Sequence, residues 1–297
     1  MAQEVLILTG LPASGKSTYA REWLREGPDF RVRINWDDLR LEMFGPGWHW
    51  NRKDEDQMQA NSRLYAELAL KAGKSVVIDN TNLTPKGRQK WIDLATNHKA
   101  TPNIHEIHDS IEACIERDHD RSEGIRVGRA VIERMALFNG FYDWNAPEWA
   151  SDEPYFVIFD VDGTLANTDH RKHFMEAKPK NWVGFFNGVS EDPVHEPIKN
   201  LAGDLYALGY KILVVSGRPT DLCGIKTEDW LDENHIPYDA LFMRQGGDHR
   251  SDVIVKQEIL DLLPKDRIAY VVDDRDQVVE MWRKNGLTCL QVAKGDF

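Results

Sequence analysis

Two short stretches of the 297-residue chain hold residue types that handle phosphate. The first reads Gly10-Leu-Pro-Ala-Ser14-Gly15-Lys16-Ser17-Thr18, with four residues between Gly10 and Gly15-Lys16-Ser17. A triphosphate carries more negative charge than one side chain neutralises. Glycines let several backbone N–H groups converge on it, and a helix beginning there adds the positive end of its dipole. Gly10, Ser14, Gly15 and Thr18 would line the phosphates of ATP, Lys16 would reach the β- and γ-phosphates, and Ser17 would offer a hydroxyl to Mg²⁺. The second stretch, Asp160-Val-Asp162-Gly163-Thr164-Leu165, follows the apolar run Tyr155-Phe-Val-Ile-Phe159. Two carboxylates two residues apart on extended chain point the same way, so they can share one metal and one phosphate.

Buried strands must carry both stretches. Val5-Leu-Ile-Leu8 is apolar without alternation and runs into the first loop, and a helix over Tyr19–Arg25 follows. A strand around Phe30–Ile34 ends in Asn35-Trp-Asp37-Asp38-Leu-Arg40, and Ser75-Val-Val-Ile78 delivers Asp79-Asn-Thr-Asn82. In a parallel sheet the carboxyl ends of the strands face the ligand crevice. Asp37 is therefore a candidate base on an attacking hydroxyl and Arg40 a candidate clamp on the acceptor; a pair at a helix N-cap explains the same residues equally. Asp79 either supports Mg²⁺ or orients its neighbours. Asp54–Lys71 has helical periodicity, and Ile104-His-Glu-Ile-His108 alternates like a strand, which puts His105 and His108 on a packing or solvent face. The segment Ile111–Leu137 holds Arg117, Arg121, Arg126, Arg129 and Arg134. Interleaved acids make it a salt-bridged helix by default, while its place in the chain suits a lid whose arginine, best Arg121, steadies the transferring phosphoryl group.

Composition narrows the class. Hydrophobic residues make up 41% of the chain and the net charge is −12, so bulk electrostatics would not hold nucleic acid. Cys114, Cys223 and Cys289 lie far apart, which argues for free thiols. No apolar run has the length of a membrane span and the chain opens on a strand, so a cytoplasmic protein without membrane contact is expected. Trp144–Pro154 is polar, contains two prolines and reads as a linker between domains at 1–147 and 153–297. A cut between Ala150 and Pro154 is expected to free an active C-terminal piece.

The Asp160–Leu165 stretch resembles the opening motif of the haloacid dehalogenase phosphatases. The resemblance implies that Asp160 attacks phosphorus and that Asp162 protonates the leaving oxygen and then activates water. The other motifs of that superfamily appear in order: Ser216-Gly-Arg218 for the phosphoryl group, Lys256 as counter-charge, and Asp273-Asp274 completing the Mg²⁺ site with Asp160 and Asp162. The short stretch between Leu165 and Pro197 leaves no room for a large cap, which suits the end of a polymer better than an enclosed metabolite. The whole chain resembles the bacteriophage polynucleotide kinase and 3′-phosphatase family, on Gly10–Thr18, Asp37–Arg40, Asp79–Asn82, the arginine-rich segment, Asp160–Leu165, Ser216–Arg218, Asp252–Lys256 and Asp273 to Phe297. That implies an α/β protein with an N-terminal P-loop kinase domain on a parallel sheet and a C-terminal haloacid dehalogenase-like domain. It further implies Asp37 as base on a 5′-hydroxyl, Arg40 on the acceptor phosphate, Arg121 on the γ-phosphate, and Arg171, Arg218, Arg244 and Asp252 as functional positions of the phosphatase. The expected partners are single-stranded or nicked RNA or DNA ends and a ligase, the expected assembly a homotetramer, and the setting the cytoplasm of an infected bacterium if the chain is phage-encoded. A small-metabolite kinase fused to an unrelated phosphatase, or a module that only binds nucleic-acid ends, are the competing readings.

Overall fold

Apolar runs without alternation form strands buried on both faces, and two separate sheets are built this way. The computed structural model describes residues 3–48, 51–122, 125–142 and 156–295. The chain divides into two compact units, Met1–Glu123 and Gly124–Phe297.

In the first unit, strands β1 (Glu4–Thr9), β2 (Arg31–Ile34), β3 (Ser75–Ile78) and β4 (Thr101–Glu106) form a parallel sheet in the order β2-β3-β1-β4. Helices α1 (Lys16–Arg25), α2 (Trp36–Phe44), α3 (Arg52–Lys71), α4 (Pro85–Asn97) and α5 (Ile111–His119) surround it. Val5, Ile7, Val76 and Ile78 pack on one face with Met58 and Leu94, and Leu6, Leu8 and Val77 pack on the other with Ala20 and Trp23. Because β3 and β4 flank β1 on opposite sides, the carboxyl end of β1 is a topological switch point, where a ligand crevice opens.

The second unit holds α6 (Arg129–Phe138), β5 (Phe156–Phe159), α7 (His173–Glu176), α8 (Trp182–Asn187), α9 (Glu196–Ala207), β6 (Lys211–Pro219), α10 (Thr220–Glu233), β7 (Ala240–Arg244), α11 (Asp252–Leu260), β8 (Ile268–Arg275), α12 (Asp276–Lys284) and β9 (Cys289–Gly295). Its sheet is parallel, in the order β7-β6-β5-β8-β9. Strand β5 lies at the centre, with Val157 and Phe159 in one core layer and Phe156 and Ile158 in the other. Each such fully buried side chain contributes about 1.5–3 kcal/mol, which fixes the strand whose end carries Asp160 and Asp162.

Residues 143–155, and with them the whole of the expected linker, lie outside the described residues, and α6 packs within the second unit. Periodicity identifies α6 as a helix without naming its partner. That partner is the sheet edge: Glu133 accepts the Leu241 N–H, Arg134 donates to the Met243 carbonyl at 2.9 Å, and Glu228 accepts the Arg129 N–H at 2.8 Å. Edge strands present unpaired backbone groups, and α6 satisfies two of them on β7 while Ala130 and Leu137 enter the two core layers.

Candidate active sites

In the first unit the loop between β1 and α1 is shaped for an anion. Gly10 has φ +153°, and a Cβ there would lie 2.6 Å from the Ile107 carbonyl, so backbone passes where no side chain fits. No side chain caps α1, which leaves the N–H groups of its first turn for a ligand. Lys16 is buried, and its Nζ donates to the Leu11 carbonyl and to Ser14 Oγ at 3.3 Å. Burial pulls its ammonium down to about 8, opposed by Asp79. Thr18 is exposed, and its N–H bonds to Gly15 O at 3.1 Å.

The strand ends frame this loop. Asp79 is buried, with one oxygen receiving the Ser17 hydroxyl at 3.3 Å and the other Arg33 Nε at 2.7 Å. Asn82 Nδ2 donates to the Leu8 carbonyl at 2.8 Å, and Gly10 N–H donates to Thr81 O at 3.1 Å. Asn35, not Asp37, caps α2, accepting the Asp38 N–H at 3.0 Å. The capping explanation therefore does not account for Asp37, whose carboxylate is 85% exposed. Arg40 Nη1 holds it at 2.6 Å, while Arg40 Nη2 and Nε bind Glu55 at 2.9 and 3.0 Å. Glu55, a buried acid in the first turn of α3, was not singled out from sequence, where it is one of several acids on a polar helix face.

The five arginines of the expected lid part company. Arg126 pairs with Glu228 at 3.0 Å and Arg129 with Glu133 at 2.9 Å, and Arg134 binds Met243, all within the second unit. Arg117 pairs with Asp109. Arg121, bound to Asp118 at 3.1 Å, lies with Asp37 and Asp79 among the charges acting on Lys16. His105 stacks on Tyr19 with ring centroids 4.3 Å apart, and His108 pairs with Glu106, in line with packing and solvent faces.

In the second unit Asp160 follows the central strand and is buried with Asp273 and Asp274, and carboxylate oxygens of the three lie within 4.8 Å of one another. Lys256 Nζ bridges Asp160 at 2.6 Å and Asp273 at 2.9 Å. Burial, with the repulsion of Asp273 and Asp274, raises the Asp160 carboxyl well above its usual range, and burial with Asp273 brings Asp274 to about 7. One ammonium does not neutralise three clustered carboxylates, and an all-oxygen donor set suits a hard divalent cation, so the residues fit Mg²⁺. Gly163, at φ +83°, admits this cluster: a Cβ there would lie 2.1 Å from Asp274 Oδ2.

Asp162 lies outside that cluster of three carboxylates. Its carboxylate instead meets Arg171 Nη2 at 2.5 Å and Arg218 Nη2 at 2.6 Å. Burial opposes ionisation there, but Arg218 and Arg171 hold the carboxyl down at about 2. Both arginines also bind Asp192, at 2.6 Å each, which closes a buried ring of alternating charge. Asp192 went unnoticed in the sequence, because Ser190-Glu-Asp-Pro193 reads as an ordinary turn. Ser216 Oγ accepts the Arg218 N–H at 3.2 Å. Arg244, expected to contact substrate, engages each guanidinium nitrogen within the protein: Gly217 O at 2.7 Å, the Asp248 and Arg250 carbonyls, and Asp252. Arg275 takes the other oxygen of Asp252.

The fold and charges define two phosphate-handling domains in one chain: a P-loop domain, and a haloacid dehalogenase-like phosphatase domain. Residues 5–138 match the AAA domain family model, and residues 154–297 match the family model described as polynucleotide kinase PNKP phosphatase domain. Among curated proteins the chain is 28% identical over 305 residues to a protein of Autographa californica nuclear polyhedrosis virus named polynucleotide kinase/RNA ligase, across 95% of this chain and 41% of the viral one. It is 37% identical over 94 residues to the bifunctional polynucleotide phosphatase/kinase of Schizosaccharomyces pombe, across 31% of this chain and 18% of that protein. The chain thus spans less than half the length of these relatives. A solved chain of the Pnkp1/Rnl/Hen1 complex is 29% identical, with full coverage of this chain, 98% of that chain and a TM-score of 0.43. Among the described residues no helix is long and apolar enough to cross a membrane.

Proposed function

We propose that the chain heals broken nucleic-acid ends, moving the γ-phosphate of ATP to a 5′-hydroxyl and removing a 3′-phosphate. The observation that carries this reading is the placement of the complete Asp160–Lys256–Asp273–Asp274 set in the half that matches the polynucleotide kinase phosphatase family, behind a P-loop in the same chain.

In the kinase reaction, Lys16 leaves Leu11 and Ser14 to hold the β- and γ-phosphates, and the first-turn amides of α1 take the remaining charge. Asp37 accepts the proton of the 5′-hydroxyl, with Arg40 held between it and Glu55 so that it orients the carboxylate and meets the acceptor phosphate. Arg121 screens the charge of the transferring group. Ser17 and Asp79 would hold Mg²⁺, which would supply positive charge to the phosphates. In the phosphatase, Asp160 attacks phosphorus to form an aspartyl-phosphate, while Asp162, which takes up a proton when the incoming phosphate shares the charge of Arg171 and Arg218, passes that proton to the leaving 3′-oxygen; Asp162 then takes a proton from the water that cleaves the acyl-phosphate. Mg²⁺ bound by Asp160, Asp273 and Asp274 would neutralise the phosphoryl oxygens. Ser216 and Lys256 hold the group, and Arg171 and Arg218 set the position of Asp162.

The products, a 5′-phosphate and a 3′-hydroxyl, are the ends a ligase joins, and the viral relative is named as containing one. Incubation with γ-labelled ATP and an oligonucleotide bearing a 5′-hydroxyl and a 3′-phosphate is expected to give label at one end and a free hydroxyl at the other. Phosphorylation of small metabolites with neither end altered would overturn the proposal.

A further inference from the structure

The segment between Asp162 and Asp192 combines charge and exposed aromatic surface beside the phosphatase site. Arg171, Lys172, Lys178 and Lys180, with His170 and His173, stand there against Asp169, Glu176 and Glu191, in a chain of net charge −12. Trp182 and Val183 on α8 are 50% and 58% exposed. The indole is held in place: it lies nearly parallel to Phe186, with centroids 5.9 Å apart at 18°, and edge-on to Phe185 at 6.4 Å. Asn181 fixes the start of the turn by accepting the Gly184 N–H at 2.9 Å. Beneath it, the Arg171 guanidinium sits 4.1 Å from the Phe185 ring centre and donates to Asp162 at 2.5 Å.

Direct contacts therefore lead from the exposed indole to the carboxylate that serves the leaving oxygen. When a 3′-phosphate is removed, the leaving group is the strand itself, so its terminal nucleotide lies on the Asp162 side of the phosphorus. Aromatic faces stack bases regardless of sequence, and lysines beside them follow the backbone. We propose that Trp182 is the stacking platform for the 3′-terminal base of a single-stranded nucleic acid, with Lys178 and Lys180 meeting its next phosphates. This rests on the 3′-phosphatase reading above.

The test compares a 3′-phosphorylated single-stranded oligonucleotide with p-nitrophenyl phosphate, using the full chain. Trp182→Ala is expected to lower the oligonucleotide-to-aryl-phosphate ratio of kcat/KM about tenfold, mainly through KM, and Trp182→Phe to restore most of it. An oligonucleotide with an abasic 3′-terminal residue is expected to remove the difference between wild type and Trp182→Ala. Combined Lys178→Ala and Lys180→Ala should flatten the salt dependence of oligonucleotide KM. An unchanged ratio, an equal fall on both substrates, or a shift in sedimentation alone, as expected if this face joins copies of the chain, overturns the platform. Wild type that cleaves the aryl phosphate and no oligonucleotide overturns the 3′-phosphatase reading instead.

Discussion

The two sites handle the same chemical group in opposite states of readiness. In the phosphatase unit fixed cations already contact the carboxylates: Lys256 sits between Asp160 and Asp273, and Arg171 and Arg218 sit between Asp162 and Asp192. In the P-loop unit Lys16 turns back on its own loop and Asp37 faces solvent. The difference follows from where the counter-charge comes from. ATP brings its own negative charge to a site of N–H donors and cations, so the loop can wait for it. Buried carboxylates need counter-charge at close range, which Lys256 supplies in part to Asp160 and Asp273, and Arg171 and Arg218 supply to Asp162 and Asp192.

The sharpest break in this comparison comes from removing each site's essential group. Asp160→Asn, which replaces the nucleophile with an amide, is expected to lower phosphatase turnover by about 10³-fold or more while leaving the kinase active, and Lys16→Ala to do the reverse. Measuring both activities in each variant decides this: loss of both in either one, with native circular dichroism, shows a coupled site.

Asp37→Asn tests the waiting site more finely. Kinase turnover should fall about 10²-fold or more with ATP affinity retained, because the base acts on the transition state. Equal loss of ATP affinity makes Asp37 a structural residue. Asp192→Asn tests the paired site: it leaves Arg171 and Arg218 with excess buried charge, at a cost of about 3–5 kcal/mol. Its melting temperature should drop and phosphatase turnover should fall. A variant as stable as wild type would show that the ring is not under electrostatic tension.

Smaller effects probe α6. A fragment starting at residue 125 should melt at a higher temperature than one starting at 153, which loses Ala130, Leu137 and the cover on β7. Equal melting restores the boundary read from composition. Least of all, burial pushes the Glu133 carboxyl up to about 8 against the pull of Arg129 and the Leu241 amide, and burial also raises the neighbouring Glu228. A folded value above the ordinary 4.5 means that the native state keeps a proton the unfolded chain releases. Stability should therefore fall as pH rises from about 4.5 to about 8. Thermal melts across that window should flatten in Glu133→Gln.

What the sequence reveals is local. The Gly10–Thr18 spacing, the Asp160–Asp162 pair and the order of Ser216, Lys256 and Asp273 are readable because each group's backbone neighbours dictate its geometry. Helix α3, expected to end at Lys71, ends there because Gly73 adopts φ +81°. What escapes depends on where a side chain turns in space. Asp162 is held by two arginines, Glu55 anchors Arg40 from another helix, and Asp192 lies 21 residues from one partner and 26 from the other. None of these has a periodicity or spacing that would mark it.

The docking of α6 also sets a schedule for synthesis. Glu133 and its partner Leu241 are 108 residues apart, so the helix leaves the ribosome well before the strand it covers. At ordinary translation rates the wait is roughly 5–20 s. During that interval an apolar helix with a buried-type carboxylate stays attached to an already complete P-loop unit. A nascent chain arrested in that interval is therefore where a chaperone would find its clearest target.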